Sequence, residues 1–230
     1  MAELNKKLFG NLKGKFGDAV FRQRKGKNII AQRPKKFNIR DKEGFENRTG
    51  KFRLSSKIAS AVMSVPILKS VWKANYAGAL SPFQNLIGVN YPFVDGNNVT
   101  GPLEIVPEGG IGVKLDSLAL TENNLSIALH PLTSDSTIDL SVESKIQAVA
   151  LVFLNNPVSA GYKKYSLLAL SSSRIAFDLT TPVNFNLAVS TADSELISMY
   201  QNKQIFSTVI TFDAGGQPVK FARTFAYAVQ

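Results

Sequence analysis

The sequence predicts a mainly β protein: an antiparallel, immunoglobulin-like β-sandwich preceded by a basic β-hairpin arm and a short helical section. Three observations carry that prediction. From Asn98 onward, apolar or alternating runs of five to ten residues succeed one another between turn clusters such as NNP and AGG. Before them, residues 47–96 space their apolar side chains as helices do. The opening stretch GKFGDAVFRQRKGKNIIAQRPKK, residues 14–36, carries eight lysines and arginines against one aspartate, yet it is threaded with Phe16, Val20, Phe21, Ile29 and Ile30. These boundaries give an arm over 1–46, a helical section over 47–96 and a β-domain over 97–230.

Within the arm, AVFRQR and KNIIAQ are β-prone runs on either side of Lys25-Gly26, a two-residue turn in which glycine takes a positive φ. That turn sets Arg24 opposite Lys27, Gln23 opposite Asn28, Arg22 opposite Ile29, Phe21 opposite Ile30 and Val20 opposite Ala31. A four-residue loop from Arg24 to Lys27 fits almost as well. Opposed cations at the tip weaken an isolated ribbon, and two strands are marginal alone. The expectation is an anionic partner for Arg22, Arg24, Lys25, Lys27, Arg33, Lys35 and Lys36, with Phe21 and Ile30 packing on the other face. Gly10, Gly14 and Gly17 match neither a Walker loop nor a dinucleotide-binding pattern and read as flexible or closely approached backbone.

The helical section follows irregular chain marked by Pro34 and Gly44. NRTGKFRLSSKIASAVMSV lines up Leu54, Ile58, Ala61, Val62 and Val65 as a helix of about four turns. Ser64 is expected to cap a second helix carrying Leu68, Val71, Trp72, Asn75 and Tyr76 and ending at Gly78, and Ser81-Pro82 to open a third, stopped before Pro92. Aromatics at this spacing read as core rather than as base-stacking platforms. The strands expected next are LSIALH, TIDLSV, KIQAVALVFL, KYSLLAL, RIAFDL, FNLAVS, IFSTVITF and VKFARTFAYAV, with TADSELISMYQNK as a loop or one helical turn. On this reading the β-domain from Asn97 folds by itself and the arm does not.

Charge divides along the chain as structure does. Residues 1–73 hold 19 basic and 5 acidic residues, and 74–230 hold 8 and 12, so a net +14 meets a net −4. Such asymmetry points to a basic arm that meets nucleic acid, an anionic surface or an acidic protein. A merely solubilising tail has no use for so many large apolar residues.

The residue inventory narrows the chemistry. With no cysteine, disulfides and thiolate metal sites are out of reach. His130 is the single histidine, and it reads as structural beside Pro131; a triad with Asp135 or Asp139 lacks the G-x-S-x-G elbow. Asp135, Asp139 and Glu143 recur at four-residue spacing, which reads as a solvated face more readily than as a calcium site, and Glu104 and Glu108 carry no acid/base signature. No enzyme, cofactor or metal site is expected. Neither a signal-peptide core nor an apolar run of membrane-spanning length is present, so the expected location is the cytoplasm or an assembled particle.

The order of GKFGDAVFRQRKGKNIIAQRPKK, then NRTGKFRLSSKIASAVMSVPILKSVW, then a β-domain ending in IFSTVITFDAGGQPVKFARTFAYAV resembles an uncharacterised family of basic bacterial proteins. Those proteins begin with a G-x-x-G element and a basic hairpin ending near R-x-x-P-K, followed by a helical pair and a C-terminal β-sandwich. The resemblance implies architecture and no catalytic residues. This chain departs from the pattern by inserting FNIRDKEGFEN before the helices. The function expected is that of a structural or assembly protein, a homo-oligomer or larger assembly of virion, tail or filament type. Its alternative is a sequence-nonspecific nucleic-acid binder using the arm on phosphates.

Overall fold

The computed structural model describes residues 2–4, 14–24, 27–33, 41–75, 80–133 and 137–229, with backbone alone at 2–4, 23, 24, 27 and 229. Two compact units divide the chain, Met1–Lys42 and Glu43–Gln230.

In the first unit, β1 (Ala2–Leu4), β2 (Gly14–Phe16), β3 (Ala19–Arg24) and β4 (Lys27–Gln32) form one antiparallel sheet in the order β1-β4-β3-β2. The β3–β4 register is the one read from sequence, from Val20 opposite Ala31 to Arg24 opposite Lys27. Two further strands extend that hairpin. β2 joins β3 across Gly17 and Asp18, and Gly17 sits at φ +56, a region that penalises any residue with a Cβ. Asp18 then accepts a hydrogen bond from the Arg33 amide at 2.7 Å, pinning the far end of β4.

The second unit opens with α1 (Lys42–Ser64), α2 (Pro66–Ala74), α3 (Pro82–Asn90) and a 3-10 turn over Tyr91–Phe93. α1 begins earlier than the sequence predicts and runs straight through Gly44. One helical glycine costs only about 1 kcal/mol, and Glu43 in the first turn complements the helix N-terminus. Gly50 has a packing reason: a Cβ there would stand 3.1 Å from the Gly96 Cα. Ser64 does not cap α2. Its hydroxyl donates back to the Ala61 carbonyl at 2.7 Å, and Val65 occupies the cap position with Pro66 setting the first turn. α3 starts on a capping box between Ser81 and Gln84, as the Ser-Pro signal requires. Leu68, Val71 and Trp72 are buried, and the Trp72 indole donates to the Ile105 carbonyl at 2.9 Å, so this aromatic is core. Tyr76 and Gly78 lie outside the described residues.

The strands of this unit are β5 (Val94–Asp95), β6 (Asn98–Val99), β7 (Leu115–Leu120), β8 (Asn124–Leu129), β9 (Lys145–Pro157), β10 (Tyr165–Ser171), β11 (Ile175–Ala176) and β12 (Val183–Ala188). After α4 (Thr191–Ser198) come β13 (Tyr200–Phe212), β14 (Pro218–Phe221) and β15 (Phe225–Val229). A six-stranded sheet runs β10-β9-β13-β14, with β11 also on β9 and β15 also on β13; a three-stranded sheet runs β12-β8-β7. Every named strand pair is antiparallel.

Alternation along β9 explains the layering. Ile146, Ala148, Ala150, Val152 and Leu154 face a core shared with Leu125, Ile127, Phe185 and Leu187 of the three-stranded sheet. Val149, Leu151 and Phe153 point the other way, into a core shared with Leu54, Ile58, Leu68 and Trp72 of the helices. The large sheet is therefore the middle layer of three. This is why KIQAVALVFL reads as a continuous apolar run, the signature of a strand buried on both faces. Helices and strands on either side of the 96/97 boundary share one core and belong to one compact unit.

Several strand predictions need correction. TIDLSV is a turn: Thr137 has φ +57, and the Asp139 carboxylate accepts from the Ser141 amide while its carbonyl accepts from Val142 and Glu143. RIAFDL keeps only β11 before Asp178 folds the chain back onto Thr180 and Thr181. VKFARTFAYAV splits into β14 and β15, where the Ala222 amide donates to Val209 and the Thr224 hydroxyl accepts from Ile105. β7 escapes the sequence reading because a register shift between Leu115 and Ser117 interrupts its alternation. The TADSELIS segment forms two turns of helix rather than a loop, capped by Ser190 on the Asp193 amide.

Candidate functional site

Side chains of the arm sheet sort by register. Phe21 stands opposite Ile30 and Gly14, and Phe16 opposite Ala19, so Phe16, Phe21 and Ile30 share a face on which no described side chain is charged. Lys15 stands opposite Val20, and Arg22 opposite Ile29, on the other face. The backbone positions of Arg24 and Lys27 continue that second face toward the tip by the same alternation. Phe16 is 81% exposed, Phe21 and Ile30 are half-buried, and Lys15, Arg22 and Arg33 are exposed. Arg33 lies one residue past the end of β4, held at its amide by Asp18. Lys25, Lys35 and Lys36 lie outside the described residues.

Two members of this site are absent from the sequence-derived set. Lys15 extends the basic face, and Phe16 the apolar one. The signal was available in the Gly17-Asp18 pair, which marks a second two-residue turn. What the sheet offers chemically is two unlike surfaces on one thin layer: an apolar one suited to packing, and one with cations two residues apart, about 7 Å along a strand.

His130, Asp139, Glu143 and Glu104 of the body each have a structural partner. Nε2 of His130 is 3.5 Å from the Asp116 carboxylate, and both side chains are exposed; Asp135 lies outside the described residues. Glu143 was read as part of a solvated face and is instead fully buried, 2.9 Å from the Lys220 ammonium. Burial alone would raise its pKa, but the Thr211 hydroxyl, the Asp139 amide and Lys220 together hold the carboxyl below its ordinary value. Asp139 is likewise held low, by Ser141. Glu104 moves the other way: burial pushes its carboxyl up, the Thr224 hydroxyl opposes this, Glu108 adds repulsion and Arg223 opposes it. Among the described residues no group of three or more His, Asp or Glu could hold a metal ion.

Clefts on the body are open. One of about 540 Å³ is lined by Glu122, Ser194, Glu195, Ser198 and Lys203, but the Ser198 hydroxyl is committed to the Glu195 carbonyl at 2.7 Å. Another lies beside Arg174, whose guanidinium stacks 4.0 Å from the Phe212 ring centre and donates to the Gly216 carbonyl at 3.2 Å. Among the described residues no helix is long and apolar enough to cross a membrane.

No protein-family model matches the chain, and no curated protein matches it. Among solved structures, the chain is similar to two of β-glucosidase from Kluyveromyces marxianus. The selenomethionine-labelled form matches at 10% identity and a TM-score of 0.18, covering 51% of this chain and 15% of the enzyme. The glucose complex matches at 11% identity and a TM-score of 0.20, covering 60% of this chain and 18% of the enzyme. The chain thus spans less than a fifth of that enzyme's length, and a likeness this slight carries no argument about fold or activity.

Proposed function

We propose that this is a non-enzymatic structural or assembly protein whose basic N-terminal arm docks on a neighbouring subunit or an anionic component of a larger assembly, of virion, tail or filament type. It works in the cytoplasm or within the assembled particle. The observation that carries the reading is the separation of faces on the arm sheet, with Phe16, Phe21 and Ile30 on one side and Lys15 and Arg22 on the other. A polyelectrolyte tail needs no register. A single-stranded nucleic-acid platform needs aromatics and cations on one face, so that bases stack where phosphates are held. A sheet that divides them is suited to packing one face on protein while charge faces outward.

The second reading, sequence-nonspecific binding to nucleic acid through phosphate contacts, is favoured by the +14 carried by residues 1–73. One experiment separates the two. Light scattering after size exclusion, with and without duplex DNA, is run on wild type, on Phe21→Ala with Ile30→Ala, and on Arg22, Arg24, Lys25 and Lys27 changed to glutamine. The structural reading expects the apolar pair to abolish arm-dependent assemblies while the body's melting stays unchanged. The second reading expects the glutamine variant to lower the salt dependence of DNA binding by up to about 0.9 per lost contact. Wild type unable to assemble, with the apolar pair indistinguishable from it, defeats the structural reading.

A further inference from the structure

The large sheet ends in strands that differ in how well they resist another strand. β14 carries Pro218 and Lys220, and β15 follows a break at 222–224. In the smaller sheet, β7 has a register shift and Asp116, while β12 follows Pro182 and turns Asn184 and Asn186 to solvent. These are the ordinary devices that blunt an edge: proline, charge, irregularity and polar side chains. β10 has none of them. YSLLALS is uncharged and free of proline, it pairs with β9 through seven consecutive residues without a shift, and no hydrogen bond joins its outer side to the described residues.

Its side chains are unfinished in the same direction. Tyr165, Leu167 and Ala169 add to the helix-side core and Leu168 to the opposite one, yet all four stay partly exposed, whereas the β9 residues beside them are buried. A strand added outside β10 would complete both cores at once.

We infer that β10 is a dimerisation edge, pairing antiparallel with β10 of a second copy about a two-fold axis through Leu168. In that register Leu167 faces Ala169 of the other copy and Ser166 faces Leu170, so apolar side chains meet within each core layer. The flanking Lys163 and Lys164 fall opposite Ser173 and Ser172, and no like charges are opposed. Opposed residues lie an even number of positions apart, which keeps their outward amides and carbonyls in step. The contact is isologous and closed, so it yields a dimer with a continuous twelve-stranded sheet rather than an open fibre. It uses no residue of the arm and stands or falls independently of the arm's role.

A chain without cysteine makes the register directly testable. In the full-length protein, Leu168→Cys places the new thiol opposite its own copy, with Cα atoms about 4.5–5.5 Å apart, within disulfide range. Ser171→Cys leaves the two thiols about 20 Å apart along the strands. Oxidation is expected to give a disulfide-linked dimer from the first variant and not from the second. Ser166→Lys with Ser171→Lys is expected to convert the dimer to monomer in sedimentation while the melting transition is kept, and Phe21→Ala with Ile30→Ala is expected to leave this dimer in place. Wild type that stays monomeric at the highest concentration it reaches overturns the inference. So does equal cross-linking at positions 168 and 171, or an open-ended polymer that position 168 does not cross-link.

Discussion

In the central sheet, every β9 residue from Ala148 to Asn155 is buried, whereas in the arm sheet Asn28 is the one fully buried residue among the described side chains. Both sheets are antiparallel, and both hold large apolar side chains. What differs is cover. The central sheet has helices over one face and a second sheet over the other, so both sets of alternating side chains find partners within the unit. The arm sheet sets basic residues among apolar ones, with Val20 and Ile29 on the face of Lys15 and Arg22, and neither kind is enclosed. Apolar content alone therefore does not make a core; a strand contributes fully to stability only when each of its faces has a layer to meet.

The largest expected effect removes one of those layers. A chain beginning at residue 97 loses α1, α2 and α3, leaving Val149, Leu151, Phe153, Phe206, Ile210 and Phe212 without their helical partners. We expect that fragment to be insoluble or to lose its cooperative melting transition, because so large an apolar surface is not tolerated on a monomer. Residues 43–230 should keep a sharp transition. A fragment 97–230 that melts as sharply as 43–230 would erase the distinction between a sheet covered on two sides and one covered on a single side.

How far the sequence alone reaches depends on whether structure is local. The β3–β4 register is legible because a two-residue turn around glycine fixes it, and α3 is legible because Ser81, Pro82 and Gln84 write its start within four residues. Trp72 could be assigned to the core from helical spacing, although its bond to Ile105 could not. By contrast, that the helices cover the same sheet which the small sheet covers from behind is a long-range fact. KIQAVALVFL hints at two-sided burial but not at which segments supply it. Glu143 shows the same limit at a single residue: its four-residue spacing from Asp139 suggests a solvated face, and only the fold brings Lys220 and Thr211 to it.

That buried pair gives the next effect in size, and a probe confined to the body. Glu143→Gln leaves Lys220 and the Asp139 amide without their anion, at a cost on the order of 1–3 kcal/mol. The pH dependence follows from the direction of the shift. A carboxyl held below its ordinary value of 4.5 adds stability above that pH, and the contribution is lost as pH falls through the lower folded-state value. Chemical denaturation from neutral pH into acid should show wild type losing stability below about pH 4.5, and Glu143→Gln should flatten that part of the curve. Parallel curves for the two proteins would mean the carboxylate is not stabilised by the fold.

The smallest effect on the body is expected from the arm, and there the contrast between the two sheets can be read amide by amide. Amides at the centre of β9 and β13 pair within a layer buried on both faces, so they should exchange with solvent hydrogen only through global unfolding of the unit. Amides of β3 and β4 pair just as regularly, yet their side chains are partly exposed on both faces, so the free energy that closes the ladder is small and exchange should proceed by local opening. Phe21→Ala with Ile30→Ala should hasten exchange in the arm and leave β9 and β13 unchanged, together with the melting temperature of the body. Protection in β3 and β4 equal to that in β9 would show that the arm's faces are already covered, which would remove the need for a docking partner. Protection that rises in β3 and β4 with protein concentration, and does so less in the double variant, would instead locate the missing cover on another copy of the chain.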